Sequence, residues 1–147
     1  MTDRREQICA RLVEIARGLV DRVGRNAPNI TGRSEPAIVI WDGDEQADPS
    51  DGRRPANVPI MVEMTPELRV LLGGMSEDVG TLLNGWRIEV IKAVIDDAVS
   101  GGLRTIIGSN GSVRYEGLST GLAAGEQTQA WHGIRFAIRY PLIPAEL

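Results

Sequence analysis

Residues 128–140 read Thr-Gln-Ala-Trp-His-Gly-Ile-Arg-Phe-Ala-Ile-Arg-Tyr, and no other stretch limits the fold so strongly. Successive side chains of an extended chain point to opposite sides. His132, Ile134, Phe136, Ile138 and Tyr140 therefore share one face, and Trp131, Gly133, Arg135, Ala137 and Arg139 share the other. A strand this long with one apolar face needs neighbouring strands and a covering layer. The apolar face is expected beneath helices, with Arg135 and Arg139 pointing away from the core.

The sequence supplies two covering helices. From Asp3 to Val23, the residues Ile8, Leu12, Ile15, Ala16, Leu19 and Val23 follow the helical repeat, and Cys9, Val13 and Val20 widen the stripe. Asp3 with Glu6 resembles a capping box, and Gly24 is a plausible stop. Cys9 reads as a small core residue. The second helix is expected from Glu77 to Val99 with Ser76 as its cap. Its apolar face is Val79, Leu82, Leu83, Trp86, Val90, Val94 and Ala98, supplemented by Ile91 and Ile95. Gly80 and Gly85 each cost about 1 kcal/mol against alanine in a helix, which close packing would explain. Gly101-Gly102 ends it.

Between the helices, residues 24–36 read as a loop and Ala37–Trp41 as a buried strand. Asp42-Gly43-Asp44-Glu45-Gln46-Ala47-Asp48-Pro49-Ser50-Asp51-Gly52, with Arg53, Arg54, Pro55 and Ala56, forms an acidic loop of a length at which loops tend to be functional. Val58–Met64 reads as a strand that resumes at Leu68–Leu72 after a bend at Thr65-Pro66; the rival reading is a short helix capped by Thr65 with Pro66 at its first position. After the second helix, Leu103–Ile107 reads as a strand, Gly108–Gly111 as a hairpin turn and Ser112–Leu118 as the returning strand. A mobile stretch from Ser119 to Gln127 is expected before the last strand. The order is helix, two strands, helix, three strands. This makes 1–147 one α+β domain of two layers, a mostly antiparallel sheet of about five strands with two long helices on one face.

Chemistry finds little to work with. The 147 residues include one cysteine and one histidine, too few soft ligands for a zinc site and no internal disulfide. His132 sits on the inward face of its strand, where a hydrogen-bonded core role is the ordinary one. Asp96 and Asp97 diverge by about 100° around their helix and form no acid–base pair. The acidic loop fails the calcium-loop spacing: counted from Asp42, position 6 is Ala47 and position 12 is Arg53; counted from Asp44, Pro49 replaces the required glycine. Gly108–Ser112 lacks the lysine and following helix of a phosphate loop. No enzymatic activity, cofactor or metal is expected. Sixteen basic and twenty acidic residues give a net charge of −4, with no excess for gripping nucleic acid. Neither a signal-peptide core nor a run of about 20 apolar residues occurs, so the chain is expected inside the cell and off the membrane.

Charge instead suggests contact between copies. Fifteen arginines stand against the single Lys92, which fits either coding bias or interfaces that exploit the guanidinium fork. Arg135 and Arg139 on the outer sheet face, facing carboxylates such as Asp42, Asp44 and Glu45 of a neighbouring copy, would make a head-to-tail contact able to close into a ring. Asp48, Asp51, Arg53 and Arg54 extend the candidate interface.

Taken together, the chain resembles the tail terminator proteins of long-tailed bacteriophages and related particles, the lambda-type tail completion family. The resemblance spans nearly the whole chain. It runs through the N-terminal Arg5-Glu6-Gln7-Ile8 helix, Pro36-Ala37-Ile38-Val39-Ile40 followed by Asp42-Gly43-Asp44-Glu45, and Met64-Thr65-Pro66-Glu67-Leu68. It continues in the helix around Leu83-Asn84-Gly85-Trp86-Arg87 and in the last strand closing on Tyr140-Pro141. It implies a virion structural protein assembled in the bacterial cytoplasm into a homohexameric ring. Such a ring stops growth of the tail tube, contacts the tube protein and the head-tail connector, and lets DNA pass without specific binding; loop 42–57 and segment 118–128 would then be the candidates for subunit, tube or head contacts. Two other readings are another head-tail joining or neck protein, and a small cytoplasmic ligand-binding module with a pocket on its sheet.

Overall fold

The computed structural model of the chain describes residues 3–30, 35–47, 59–73, 78–123 and 129–144. In order, the elements are α1 (Arg4–Arg17), β1 (Arg22–Arg25), β2 (Ala37–Trp41), β3 (Glu45–Ala47), β4 (Ile60–Met64), β5 (Glu67–Gly73), α2 (Val79–Ser100), α3 (Gly102–Ile107), β6 (Ser112–Ala123) and β7 (Gln129–Leu142). The fold is α+β, with three helices, two of them long, and a mostly antiparallel sheet.

β7 is the spine of the sheet. β6 pairs along one side of it, from Ser112 opposite Arg139 to Ala123 opposite Gln129. The other side is shared: β5 pairs with residues 129–135 and β4 with residues 138–142. Farther out, β2 pairs with β5 and β3 with β4, and β1 adds in parallel to β2. The two faces of β7 divide as its alternation predicts. Ile134, Phe136, Ile138 and Tyr140 are fully buried in the cluster that joins the sheet to Ile8 and Leu12 of α1, Val90 and Val94 of α2, and Leu103 and Ile107 of α3.

The sequence predicts about five strands, and the described residues hold seven. Two of the differences arise at chain breaks that face each other. The bend at Thr65-Pro66 splits a single expected strand region into β4 and β5, because Pro66 has no N–H to give to the ladder. Opposite it, the chain between β2 and β3 turns at Gly43, so part of the expected acidic loop is a short strand. Backbone bonds carry the sheet across both breaks: Thr65 N donates to Asp44 O (3.0 Å) and Phe136 N to Pro66 O (3.1 Å).

A third difference lies at Leu103–Ile107, which is helical rather than extended. Its two fully buried residues, Leu103 and Ile107, stand four apart, the spacing of one helix face. Side-chain bonds spanning four to seven residues fix this turn. Asp97 Oδ2 accepts from Leu103 N at 2.9 Å, and Arg104 donates to the carbonyls of Ala98, Gly108 and Gly111 at 2.7, 2.8 and 3.0 Å. Gly108–Gly111 consequently joins a helix to a strand and is not a hairpin turn. The stretch expected to be mobile is strand β6 as far as Ala123.

The first helix also ends earlier than its periodicity suggests. Gly18 donates to Glu14 O and Ile15 O (both 3.1 Å), and residues 22–25 leave to pair with β2. Leu19, Val20 and Val23 still pack on the core, so one apolar stripe serves a helix, a turn and a strand in succession. Asp3 caps α1 by accepting from Arg5 N at 2.8 Å. Glu6, expected to complete the box, is turned to Arg25 instead. In α2, Gly80 and Gly85 have nothing within 4 Å of a built Cβ, so close packing does not explain them. Leu82, assigned to the apolar face, is 53% exposed. Ser76 lies outside the described residues.

Candidate assembly surface

With all three helices packed on one face, the outer face carries the charges. Along β4, β5, β6 and β7 it presents Glu63, Glu67, Arg69, Arg114, Trp131, Arg135 and Arg139. Most of these charges find partners within the chain. Arg114 forks onto both oxygens of Glu63 (3.1 and 3.2 Å) and reaches Glu116 at 2.6 Å, which raises its pKa above the ordinary guanidinium value. It is 55% exposed, so these pairs contribute little to stability. Arg69 pairs with Glu67 at 3.1 Å and stacks 4.0 Å above the Trp131 ring.

Arg135 differs from its neighbours. It is exposed, with its guanidinium beside Gly117 and with no ion pair among the described residues. Gly117 follows a register shift in which Glu116 is the extra residue, a bulge that re-aims the edge strand at this point. Arg139 is half-buried, opposite Glu63 on one side and Ser112 on the other, and is engaged within the chain.

The acidic residues singled out from the sequence separate into two groups. Asp42 is held inside the subunit. Arg25 donates Nε and Nη2 to its two oxygens (2.9 and 2.8 Å), and donates Nη1 and Nη2 to Glu6 (2.7 and 2.9 Å). These bonds hold the Asp42 and Glu6 carboxyls below their usual range and raise Arg25. Asn26, at φ +48°, accepts from Asp42 N at 3.1 Å, so β1, β2 and α1 are tied at one corner. Glu45 accepts from the Tyr140 hydroxyl; burial, with that bond, raises the Tyr140 pKa. Asp44 is exposed and offers a free side chain at the turn. Asp48, Asp51, Arg53 and Arg54 lie outside the described residues. The structure therefore leaves Asp44 and Arg135 as outward charges and uses Asp42 and Glu45 within the fold.

Reactive groups are few and quiet. Cys9 is fully buried, and burial followed by the Asp42 charge pushes its thiol up to about 11, far from a thiolate at neutral pH. His132 is 8% exposed and its buried Nδ1 has no hydrogen-bond partner among the described residues, unlike the hydrogen-bonded role expected; burial, with Arg87 nearby, lowers its pKa from the ordinary imidazole value. Among the described residues, no three His, Cys, Asp or Glu side chains gather where a metal ion could sit, and no helix is long and apolar enough to cross a membrane.

No protein-family model and no curated protein matches the chain. Whatever this surface does has to be read from its own geometry. Residues 118–123, expected from the sequence as part of a contact segment but read as mobile beyond Leu118, form half of the outer edge of β6. Eleven of its twelve residues, all but Glu116, pair with β7 on one side, and no strand pairs with its other side among the described residues. Charges guard the half that holds Arg114 and Glu116. The half Leu118-Ser119-Thr120-Gly121-Leu122-Ala123 carries none, and Leu122 is 69% exposed. The absence of charge and proline from residue 117 to 125 was the available signal, since edge strands are ordinarily blunted by such residues.

Proposed function

We propose that the chain is a virion structural protein of the tail terminator type. Copies join head to tail in a ring, six by the family resemblance. The ring caps the tail tube, ends its polymerisation and presents the surface to which the head joins. The observation that carries the assembly step is the long unguarded edge of β6. Among the described residues, β6 is open at one side of the sheet and the short β1 and β3 stand at the other, so its two edges are unlike. Copies meeting through unlike surfaces form a ring when the rotation between them closes. Backbone groups along an unpaired strand supply affinity, and an exposed apolar side chain such as Leu122 adds specificity. The arrangement of helix, acidic corner, Thr65-Pro66 bend and closing strand supports the choice of family, and the outward Arg135 and Asp44 fit a charged rim around such contacts.

Light scattering over a concentration series tests the assembly step. The expected mass is six times 15.9 kDa at high concentration. Leu122→Lys, at an exposed position that leaves the core intact, is expected to hold the protein at the monomer mass with an unchanged circular dichroism spectrum. A monomer at every concentration, or a Leu122→Lys protein of unaltered mass, would contradict assembly through this edge.

A further inference from the structure

The register of the sheet determines which edge of a second copy fits the open side of β6. Four unbroken rows cross β1, β2, β5, β7 and β6, starting at residues 22–25 of β1 and ending at residues 121–118 of β6. Val23 and Thr120, for instance, share a row through Ile38, Val70 and His132. β1 runs parallel to β2 and in the direction of β7, whereas β6 runs against them. A copy set beside the first in the same orientation therefore brings its β1 antiparallel to β6, the more stable kind of pairing.

Both edges are open, since no strand pairs with the outer side of β1 or of β6 among the described residues. Asn26 N donates to Ile40 O at 2.8 Å, so by alternation Gly24 turns its backbone groups toward β2, while Val23 and Arg25 turn theirs outward. On β6, which runs the other way, Leu118 and Thr120 of the same sheet face point theirs outward. Val23 thus meets Thr120, and Arg25 meets Leu118, as hydrogen-bonding pairs. Charge does not obstruct the approach. Arg25 is held by Glu6 and Asp42, Arg22 is engaged within the chain, and residues 118–121 carry no charge. The rows of β3 lead elsewhere: Gln46 connects through Glu63 and Arg139 to Ser112, in the charged half of β6 beside Arg114.

The helix layer carries a matching signal. Asp97 of α2 bonds Arg11 of α1, and Trp86 lines a cavity with Leu19 and Val20, so this side of α2 faces α1. Ile88 lies on the opposite side, about 200° around the helix from Trp86, next to the Arg87 that stacks over Tyr115 of β6. It is 58% exposed. In a copy joined through β1, the α1 helix comes with that strand, tied to it by the Glu6–Arg25 pair, and lies alongside Ile88.

We propose that β1 of one copy adds antiparallel to residues 118–121 of β6 of the next, continuing one sheet from subunit to subunit, with α1 of the incoming copy covering Ile88. The proposal rests on the assembly reading above and names the edge that fills β6.

Cross-linking between copies tests it. Thr120→Cys and Val23→Cys forms of the full chain are prepared separately, mixed and oxidised with glutathione disulfide. The Cα atoms of a hydrogen-bonded antiparallel pair stand about 5.5 Å apart, within disulfide reach. The expected result is a disulfide-linked dimer in the mixture and in neither variant alone. Ala47→Cys, on β3, is expected to give none with Thr120→Cys. In light scattering, Ile88→Asp should raise the concentration needed for assembly about tenfold or more. Leu82→Asp should leave it unchanged, because Leu82 is one turn from Trp86 on the side toward α1. Circular dichroism shows that each variant folds. With the parent assembling and Leu122→Lys blocking it, cross-linking through Ala47, no cross-linking through Val23, or Ile88→Asp assembling like the parent would overturn β1 as the partner and leave the β6 edge standing. A parent that stays monomeric and forms no cross-link would overturn both.

Discussion

Gly43→Ala should destabilise the protein by about 3 kcal/mol or more, from a left-handed backbone cost of about 1–2 kcal/mol and an overpacking cost of about 1–3 kcal/mol. The residue has φ +76°, and a Cβ built on it would stand 2.0 Å from Thr65 O and 2.6 Å from Thr65 C. These are backbone atoms, so no side-chain rotation relieves the clash. The contact lies where the β2–β3 break faces the β4–β5 break. Moving Thr65 away would also disturb its N–H bond to Asp44 O and the Pro66 carbonyl that accepts from Phe136. Arg5, whose Nη2 donates to Gly43 O at 2.7 Å, ties the same turn to α1. Urea unfolding followed by circular dichroism measures the effect, with Gly85→Ala as the control. Gly85 has open space around it, so alanine there should be neutral or stabilise by up to about 1 kcal/mol. A Gly43→Ala protein within about 1 kcal/mol of the parent would contradict this geometry.

Asp97→Ala is the second large expected loss, about 2–3 kcal/mol, because it strands a half-buried arginine and uncaps a helix together. Asp97 accepts from Arg11 Nε and Nη2 at 2.9 and 2.7 Å and from Leu103 N at 2.9 Å, so one carboxylate joins α1, α2 and the start of α3. Its side chain is only 12% exposed. Arg11, Leu103 and Gly102 together hold its pKa below the ordinary value against the opposing effect of burial. The pH dependence follows in sign. A carboxylate with a depressed folded pKa contributes stability that is present above its unfolded value, about 3.9, and is lost as pH falls through the folded one. Asp42 and Glu6, both depressed by Arg25, act in the same direction. The parent is thus expected to lose stability steeply below about pH 4, and Asp97→Asn to start lower at pH 7 and lose less on acidification. Equal acid sensitivity in parent and variant would contradict the assignment.

These two sites show what the sequence makes legible. The alternation from Ala130 to Tyr140 identifies β7 and its buried face because one long central strand must satisfy a single rule. The i, i+4 pattern of α1 and α2 is similarly plain where a helix spans the core. Leu103–Ile107 misleads because its β-branched residues favour a strand, while Asp97 and Arg104 bond the backbone on either side and neither bond shows in an apolar alternation pattern. β1 is hidden because Val23 continues the stripe of α1. The acidic residues are visible as a cluster, but nothing local tells that Arg25 claims Asp42 or that Tyr140 reaches Glu45. The stack of Arg69 on Trp131 is the least legible feature: the two residues are 62 positions apart and meet only because β5 pairs with β7.

The central claim concerns what copies of this chain do to a growing tail tube. Polymerising tail tube protein should be mixed with the purified chain and the tube lengths measured by electron microscopy. Tail terminator activity predicts density bound at one tube end and a length distribution shortened in proportion to the protein added, with Leu122→Lys inactive. Tubes of unchanged length with bare ends would contradict the account.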